Sequence, residues 1–186
     1  MTEGAQKSVG FSAIDGREAK AKKILAILAA AGRPLKPTQN VLDLGCGSGE
    51  IAAHLAMHAN VSCADAVDQR IHGRELPFRI ASSPLPFGDA AFDVVISNHV
   101  IEHTADPGAH LREIRRILNP DGIAYLATPN RLWPWEVHSQ LPLLHYLPWR
   151  WFSRLGMAAG RLGEPVRLLS LGALRRRIRT RFDMDV

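Results

Sequence analysis

The sequence predicts an α/β domain built on a doubly wound, mostly parallel sheet, and three observations support this class. Short apolar runs alternate with amphipathic helical patterns between residues 17 and 130. The first run, Val41–Leu44, passes directly into a turn with three glycines, and a helical pattern starts at Ile51. The second run, Val61–Asp65, ends on an acid 20 residues after Gly45. A strand, a glycine turn and a helix N-terminus are typical of a ligand-binding βα unit.

Length and composition indicate one soluble domain, which we take to span residues 1–186. Apolar residues make up 46% and charged residues 22% of the 186, which is ordinary for a globular chain with a full core. No apolar run reaches the roughly 18 residues that a spanning helix requires, and residues 1–11 contain no apolar signal-peptide core. We therefore expect a cytoplasmic protein. Cys46 and Cys63 are too few for a disulfide framework and are interpreted as reduced thiols.

The first elements are predicted in chain order. Residues 1–36 form an N-terminal helical segment, with an amphipathic helix from Arg17 to Ala31 that Gly32 and Pro34 end. The apolar face of this helix consists of Ala21, Ile24, Leu25, Leu28 and Ala29. Residues 37–130 form the ligand-binding core. Its first βα unit ends with a helix from about Glu50 to His58.

The spacing of the glycine turn limits the ligand it can bind. A dinucleotide fingerprint has glycines at the first, third and sixth places, whereas here the sixth place is Glu50. A P-loop requires Lys followed by Ser or Thr after its last glycine, and this chain has neither. The acidic residues around the turn also disfavour a pyrophosphate.

The second strand and its crossover complete the ligand crevice. Asp65 ends this strand, where a carboxylate can accept hydrogen bonds from both hydroxyls of a ribose. Residues 66–77 contain Gly73 and Pro77 and are too few for a full helix, so we predict a shortened crossover. Residues 78–81 then form a third strand at the sheet edge.

Four motifs in register resemble one family. The turn Asp43-x-Gly-x-Gly-x-Gly resembles the first motif of class I S-adenosylmethionine-dependent methyltransferases, which have a Rossmann-like fold. Residues 85–97, predicted to end in a buried strand from Phe92, resemble the Leu-Pro-Phe to Phe-Asp-Val-Val segment of the group that includes the quinone-biosynthesis C-methyltransferases. Residues 98–103 resemble the segment after this strand in the same group. Residues 119–122 resemble the turn before its fifth strand, here 123–127.

The resemblance implies S-adenosylmethionine as cofactor and S-adenosylhomocysteine as product. The ammonium and sulfonium of this cofactor suit an acid at Asp43. The family often has an acid before the Leu-Pro-Phe turn that binds the adenine amino group, whereas this chain has Ser82 nearby, so Ser82 or a backbone carbonyl would substitute. The predicted cofactor-binding residues are Asp43, Gly45, Cys46, Gly47, Gly49, Asp65, Ala66, Ser82, Asn98 and His99.

Three residues after the fourth strand are candidates for catalysis. His99, Glu102 and His103 can act as bases or substrate contacts, or they can cap and pack the crevice instead. The same residues match the H-x-x-E-H pattern of zinc peptidases. We disfavour a metal because no third ligand is evident and a new helix begins soon after, at Asp106-Pro107.

The last third of the chain is basic and rich in tryptophan. Residues 131–186 hold ten Lys and Arg against four Asp and Glu, and they include all four tryptophans. Residues 131–167 are predicted to be either a hydrophobic lid or dimer contact, or a segment that docks on an anionic membrane surface. Residues 168–186 are predicted to form a basic helix, Leu168 to Arg181, with Leu171, Leu174 and Ile178 inward, and then a partial strand.

The predicted closing hairpin is therefore incomplete, because only residues 182–186 remain for a sixth strand. Either the chain is a shortened member of the family, or it is a fragment whose exposed edge would favour a homodimer or instability.

The predicted function is methyl transfer from S-adenosylmethionine to a small hydrophobic acceptor such as a quinone, phenol or lipid. The alternative is a cofactor-binding protein without turnover, or a membrane-docked regulatory module. Nucleic acid is a disfavoured partner, because no Asn-Pro-Pro-Tyr or Asp-Pro-Pro-Tyr sequence follows the fourth strand.

Overall fold

A computed structural model describes residues 9–129, 147–160, 168–179 and 182 of the chain. The chain divides into two compact units. Unit 1 comprises Met1–Ile96 and Ile117–Tyr125, and unit 2 comprises Ser97–Arg116 and Leu126–Val186.

Five strands form one sheet, in the order β3-β2-β1-β4-β5. Strands β1 and β2 are parallel, with Val41 opposite Val61, and β3 is parallel to β2, with Cys63 opposite Phe78. The strand order reverses between β1 and β4, as in doubly wound sheets, which confirms the predicted α/β class. The strands are β1 Asn40–Leu44, β2 Asn60–Asp65, β3 Phe78–Ile80, β4 Phe92–Asn98 and β5 Leu118–Ala127.

Five helices and one short 3₁₀ turn accompany the sheet in the described part of the chain. The 3₁₀ turn covers Ile101–His103, directly after β4. The helices are α1 Val9–Ala30, α2 Glu50–Leu55, α3 Pro107–Ile117, α4 Trp149–Ala158 and α5 Leu171–Arg179. No helix of the described residues is long and apolar enough to cross a membrane.

Helix α1 packs on the core of unit 1 through the predicted apolar face. Ile24 and Leu28 are buried against Val41, Leu55 and Val94. The helix starts at Val9 rather than at the predicted Arg17. It therefore includes Gly16, although a glycine inside a helix costs more backbone entropy than other residues. Ala29, which the helical pattern also assigns to the buried face, is exposed.

The crossover between β2 and β3 is shortened as predicted, since no helix lies in residues 66–77. Helix α2 ends at Leu55, three residues before the predicted end at His58. Its C-terminus tightens into a turn in which the His58 amide donates to the Leu55 carbonyl at 2.9 Å.

Strand β5 begins five residues earlier than predicted, so the predicted turn at Asn119–Gly122 lies within the strand. The side chain of Asn119 donates a hydrogen bond of 2.6 Å to Asp93 Oδ1, which holds this start against β4. A Cβ atom on Gly122 would lie 3.1 Å from the Asp93 carbonyl oxygen, so this close backbone approach requires glycine.

Unit 2 has its own apolar cluster of Ile101, Leu111 and Leu169, with Leu174 and Ile178 of α5 packed against it. Helix α5 begins at Leu171 rather than at the predicted Leu168. The prediction of an inward Leu171 is wrong, because its side chain is 46% exposed at the first position of the helix. The predictions for residues 131–146 and 161–167 lie outside the described residues, as does the strand predicted for 182–186 except for its first residue, Phe182.

Candidate cofactor site

The glycine turn after β1 has a backbone that only glycine adopts readily. Gly45, Gly47 and Gly49 have φ angles of 79°, 54° and 80°, all in the left-handed region. A Cβ atom on Gly49 would lie 2.1 Å from the His72 carbonyl oxygen, so a side chain is excluded there. The predicted tight turn is therefore present, and its shape depends on these three residues.

The turn is attached to the end of β2 by three backbone amides. The amides of Gly45 and Cys46 donate to the Ala64 carbonyl at 2.7 and 3.3 Å. The Gly47 amide donates to Asp65 Oδ2 at 2.8 Å, and the Ala66 amide donates to Oδ1 of the same carboxylate at 2.7 Å. The Asp65 carboxylate thus links the glycine turn to the end of β2, the two segments that the sequence predicts to bind the cofactor.

Asp43 is a buried carboxylate without a full set of partners. Its side chain is 2% exposed, and Oδ2 has no hydrogen-bond partner among the described residues. Burial, and then the like charge of Asp65, raise the pKa of Asp43 to about 7. A cation bound at the turn would supply the missing counter-charge, so this orphaned oxygen fits a ligand with an ammonium and a sulfonium.

Arg17 of α1 also reaches the turn, and sequence reasoning missed it. Its Nη1 donates a hydrogen bond to the Ser48 hydroxyl, and a Cβ atom on Gly47 would lie 3.4 Å from this nitrogen. The α1 helix therefore brings a guanidinium to a turn that otherwise carries two carboxylates. The sequence indicates Arg17 only as the start of an amphipathic helix, and no local pattern marks a contact across 31 residues.

Of the remaining predicted contacts of unit 1, Ala66 and Ser82 lie at the surface, whereas Cys46 is buried. Ala66 is exposed directly after Asp65. The Ser82 hydroxyl donates to the Pro84 carbonyl at 2.7 Å, which leaves its oxygen free to accept a hydrogen bond from an amino group. Cys46 is 5% exposed, so its side chain packs in the core and only its backbone belongs to the turn.

In unit 2, His99 follows β4 in a strained conformation. Its φ angle of 61° lies in the left-handed region, which a histidine rarely adopts, and its amide donates to the Ala127 carbonyl at 2.8 Å. Its Nδ1 lies 3.3 Å from Oε1 of Glu102. Strained residues of this kind concentrate at functional sites.

Glu102 is fully buried next to His99, at 0% exposure. Neither carboxylate oxygen makes a hydrogen bond of good geometry within the described residues. Burial acts to raise the pKa of Glu102, but the neighbouring His99, a backbone amide and the Thr128 hydroxyl outweigh it and leave the pKa below its ordinary value. The group is therefore an ionised carboxylate that can orient His99.

His103 and His110 take different places in unit 2. His103 is exposed at the end of the 3₁₀ turn, so the His99 and His103 of the zinc-peptidase pattern do not share an α-helical face. No group of three His, Cys, Asp or Glu in the described ranges could hold a metal. His110 lies 3.0 Å from the Ser97 hydroxyl, and burial lowers the pKa of His110 to about 4.

A cavity of about 410 Å³ lies at the amino ends of the strands, opposite to the end that carries the glycine turn. It is lined by residues at the amino ends of the strands, among them Gln39, Asp93 and Asn119. Ligands of doubly wound sheets bind at the carboxyl ends, so this cavity is separate from the cofactor site.

The sheet order, the left-handed glycine turn and the acid at the end of β2 define a class I S-adenosylmethionine-dependent methyltransferase domain. The fold places two carboxylates at this turn, the buried Asp43 and the part-buried Asp65. The chain belongs to the methyltransferase domain family, whose profile matches residues 16–176.

Curated relatives match about half of the chain. It is 37% identical over 103 residues to a ubiquinone biosynthesis O-methyltransferase of Caulobacter vibrioides, covering 49% of this chain and 41% of the relative. A protein of the same name from Dinoroseobacter shibae is 36% identical over 121 residues, covering 56% and 49%. The chain thus matches less than half the length of these relatives.

Solved structures show the same fold at lower identity. An S-adenosylmethionine-dependent methyltransferase of Methanosarcina mazei superposes with a TM-score of 0.63 at 21% identity, covering 82% of this chain and 83% of that one. The YcgJ protein of Bacillus subtilis gives a TM-score of 0.63 at 18% identity, covering 88% and 68%. This likeness confirms the predicted fold.

Proposed function

We propose that the protein transfers a methyl group from S-adenosylmethionine to a small hydrophobic acceptor of the quinone, phenol or lipid class. The observation that supports it best is Asp43, a buried carboxylate with an orphaned oxygen beside a glycine turn. The relatives named as ubiquinone biosynthesis O-methyltransferases support an acceptor with a hydroxyl group on an apolar ring.

Within the proposed cofactor site, each polar group of unit 1 has a chemical counterpart. Asp65 would bind the ribose hydroxyls, and Ala66 and Ser82 would border the adenine. Arg17 would bind the carboxylate of the methionine part, because its guanidinium contacts Ser48 of the turn. Asp43 would offset the positive charges of the same part.

The proposed chemistry of unit 2 is proton removal from the acceptor. When bound, S-adenosylmethionine supplies an electrophilic methyl group. Glu102 would hold the Nδ1–H of His99, which leaves Nε2 to accept the proton of an acceptor hydroxyl. Asn98 would contact the acceptor or the cofactor, and the exposed His103 would contact the acceptor.

Calorimetry with S-adenosylhomocysteine tests the cofactor, and a methyl-transfer screen tests the reaction. The screen would use a quinol, a catechol and a phospholipid with labelled S-adenosylmethionine, and the expected result is label in one apolar acceptor. Binding without transfer to any of them would favour the alternative of a cofactor-binding protein. No binding of S-adenosylhomocysteine would refute both proposals.

We also propose that an anionic membrane surface is a partner. Trp151 and Leu155 lie one helical turn apart on α4 and are 62% and 45% exposed, and Leu147 before the helix is 40% exposed. Arg150 and Arg154 lie between them on the exposed side, and residues 147–160 contain no acid. Exposed Trp and Leu beside Arg suit the headgroup level of a bilayer.

Co-sedimentation with vesicles that contain phosphatidylglycerol tests this partner. The double variant Trp151→Ser, Leu155→Ser should lose most of the binding, whereas Met57→Ser, which changes an exposed apolar residue of unit 1, should retain it. Binding should also decrease with salt. If the native chain stays in the supernatant at low salt, the membrane proposal is wrong.

A further inference from the structure

The segment between β2 and β3 is held by one buried arginine. Arg70 is 5% exposed, although arginine is rarely buried unless its charge is paired. Its Nε and Nη2 donate to the two carboxylate oxygens of Asp68, each at 2.9 Å. This bidentate geometry is the strongest that an arginine and a carboxylate form.

The other side of the same guanidinium binds the backbone of the segment. Nη1 donates to the carbonyl oxygens of Gly73 and Leu76, both at 2.9 Å. The guanidinium carbon also lies 4.6 Å from the centre of the Phe78 ring. One side chain therefore connects the beginning of the segment, its end and the first residue of β3.

The segment in turn contacts the glycine turn. The amides of Ile71 and His72 both donate to the Ser48 carbonyl, at 2.9 and 3.0 Å. The His72 carbonyl occupies the space beside Gly49 in which a side chain would clash. The non-helical residues Ile71 and His72 thus contact the glycine turn directly, and Arg70 fixes the segment that contains them.

We infer that Arg70 is a positioning residue for the cofactor: it replaces the missing crossover helix as the support of the Gly45–Gly49 turn. This inference rests on the proposed function, because the turn must bind S-adenosylmethionine for its position to matter. A preorganised turn has less conformational entropy to lose on binding. Loss of the guanidinium should therefore weaken cofactor binding and leave the acceptor site unchanged.

The variants Arg70→Met and Arg70→Lys test the inference, with Arg79→Met as the matched control. Arg79 is an exposed arginine on β3, so its variant loses the same charge without changing the segment. Lysine retains the charge but cannot bind Asp68 and two carbonyls together. Circular dichroism at low temperature would first establish that each variant is folded.

We expect both Arg70 variants to bind S-adenosylhomocysteine at least tenfold more weakly than the native protein, with Arg79→Met unchanged. In turnover, KM for S-adenosylmethionine should rise while kcat and KM for the acceptor stay the same. Hydrogen exchange of the Ile71 and His72 amides should be faster in the Arg70 variants without cofactor. A general loss of stability would not produce this selective pattern.

Two different failures can be distinguished. If the native protein binds S-adenosylhomocysteine and folded Arg70 variants bind it equally well, the role of Arg70 is refuted and the proposed function stands. If the native protein itself does not bind, the proposed function is refuted and the role of Arg70 with it. Addition of guanidinium at millimolar concentration to Arg70→Ala should restore part of the affinity, whereas urea should not.

Discussion

The carboxylate of Asp65, at the end of β2, accepts a hydrogen bond from the backbone amide of Gly47, with Oδ2 2.8 Å from the nitrogen. The residue proposed to bind the ribose therefore also fixes the turn proposed to bind the methionine part. A single carboxylate with two oxygens can serve both purposes, since each oxygen accepts more than one hydrogen bond.

We predict that Asp65→Ala weakens binding of S-adenosylhomocysteine by roughly 2 kcal/mol, about thirtyfold, because charge-assisted hydrogen bonds are lost. Asp65→Asn should lose less affinity for S-adenosylhomocysteine, since its amide oxygen can still accept a hydrogen bond from the Gly47 amide. Isothermal titration calorimetry measures both. Asp121→Asn, an exposed acid at the other edge of the sheet, is the control, and equal affinities for Asp65→Ala and this control would contradict the assignment.

The affinity for S-adenosylmethionine should increase as the pH rises from mildly acidic to neutral. Asp43 has a pKa raised to about 7 in the free protein, so it carries a proton at the lower pH values. A cationic ligand binds the ionised form, and each pH unit below this pKa should therefore cost up to about tenfold in affinity. Asp43→Asn should bind more weakly and show a flatter profile, and an equally steep profile in this variant would assign the titration elsewhere.

Asp43 should also lower the stability of the cofactor-free protein at neutral pH. Its pKa is about 7 in the folded protein, whereas an aspartate in an unfolded chain has a pKa of about 3.9, so the folded state binds the proton more tightly. Stability from this group is therefore fully present below the unfolded pKa and is lost as pH rises through the folded pKa, by up to about 4 kcal/mol. Urea unfolding at mildly alkaline pH should show that Asp43→Asn is more stable than the native protein, with the difference decreasing as the pH is lowered.

The parts of the site that the sequence predicted are those set by local pattern. The glycines of the turn and Asp65 lie at the ends of apolar runs, and the end of such a run marks where a buried parallel strand ends. The shortened crossover is predictable from the chain length between β2 and β3. These features need no knowledge of which residues meet across the fold.

The parts that the sequence did not predict depend on contacts between distant residues. Arg17 and Arg70 act on a turn that lies outside their own segments, and each looks like an ordinary surface arginine in the sequence. Helix α2 ends early and β5 begins early because hydrogen bonds at their ends outweigh propensity. The left-handed conformation of His99 could not be predicted from the sequence, because histidine adopts a positive φ more often than most residues but still in only a small minority of cases.

The left-handed conformation of His99 provides a direct test of whether this residue has a functional role. Glycine adopts a φ angle of 61° without strain, so His99→Gly should stabilise the cofactor-free protein by about 1 kcal/mol. His99→Ala keeps the strain and removes the imidazole, so it should not stabilise. Both variants should lower kcat by a factor of about 10² or more if the imidazole accepts the acceptor's proton.

The variant Glu102→Gln tests whether Glu102 orients the His99 imidazole or only packs against it. The amide keeps the volume of the buried carboxylate but removes the charge that faces Nδ1 of His99. We expect a lower kcat at neutral pH with an unchanged affinity for S-adenosylhomocysteine, because the cofactor contacts proposed for unit 1 are untouched. Thermal unfolding gives stability and single-turnover methyl transfer gives the rate, so a variant that loses stability without losing the rate would assign Glu102 to packing alone.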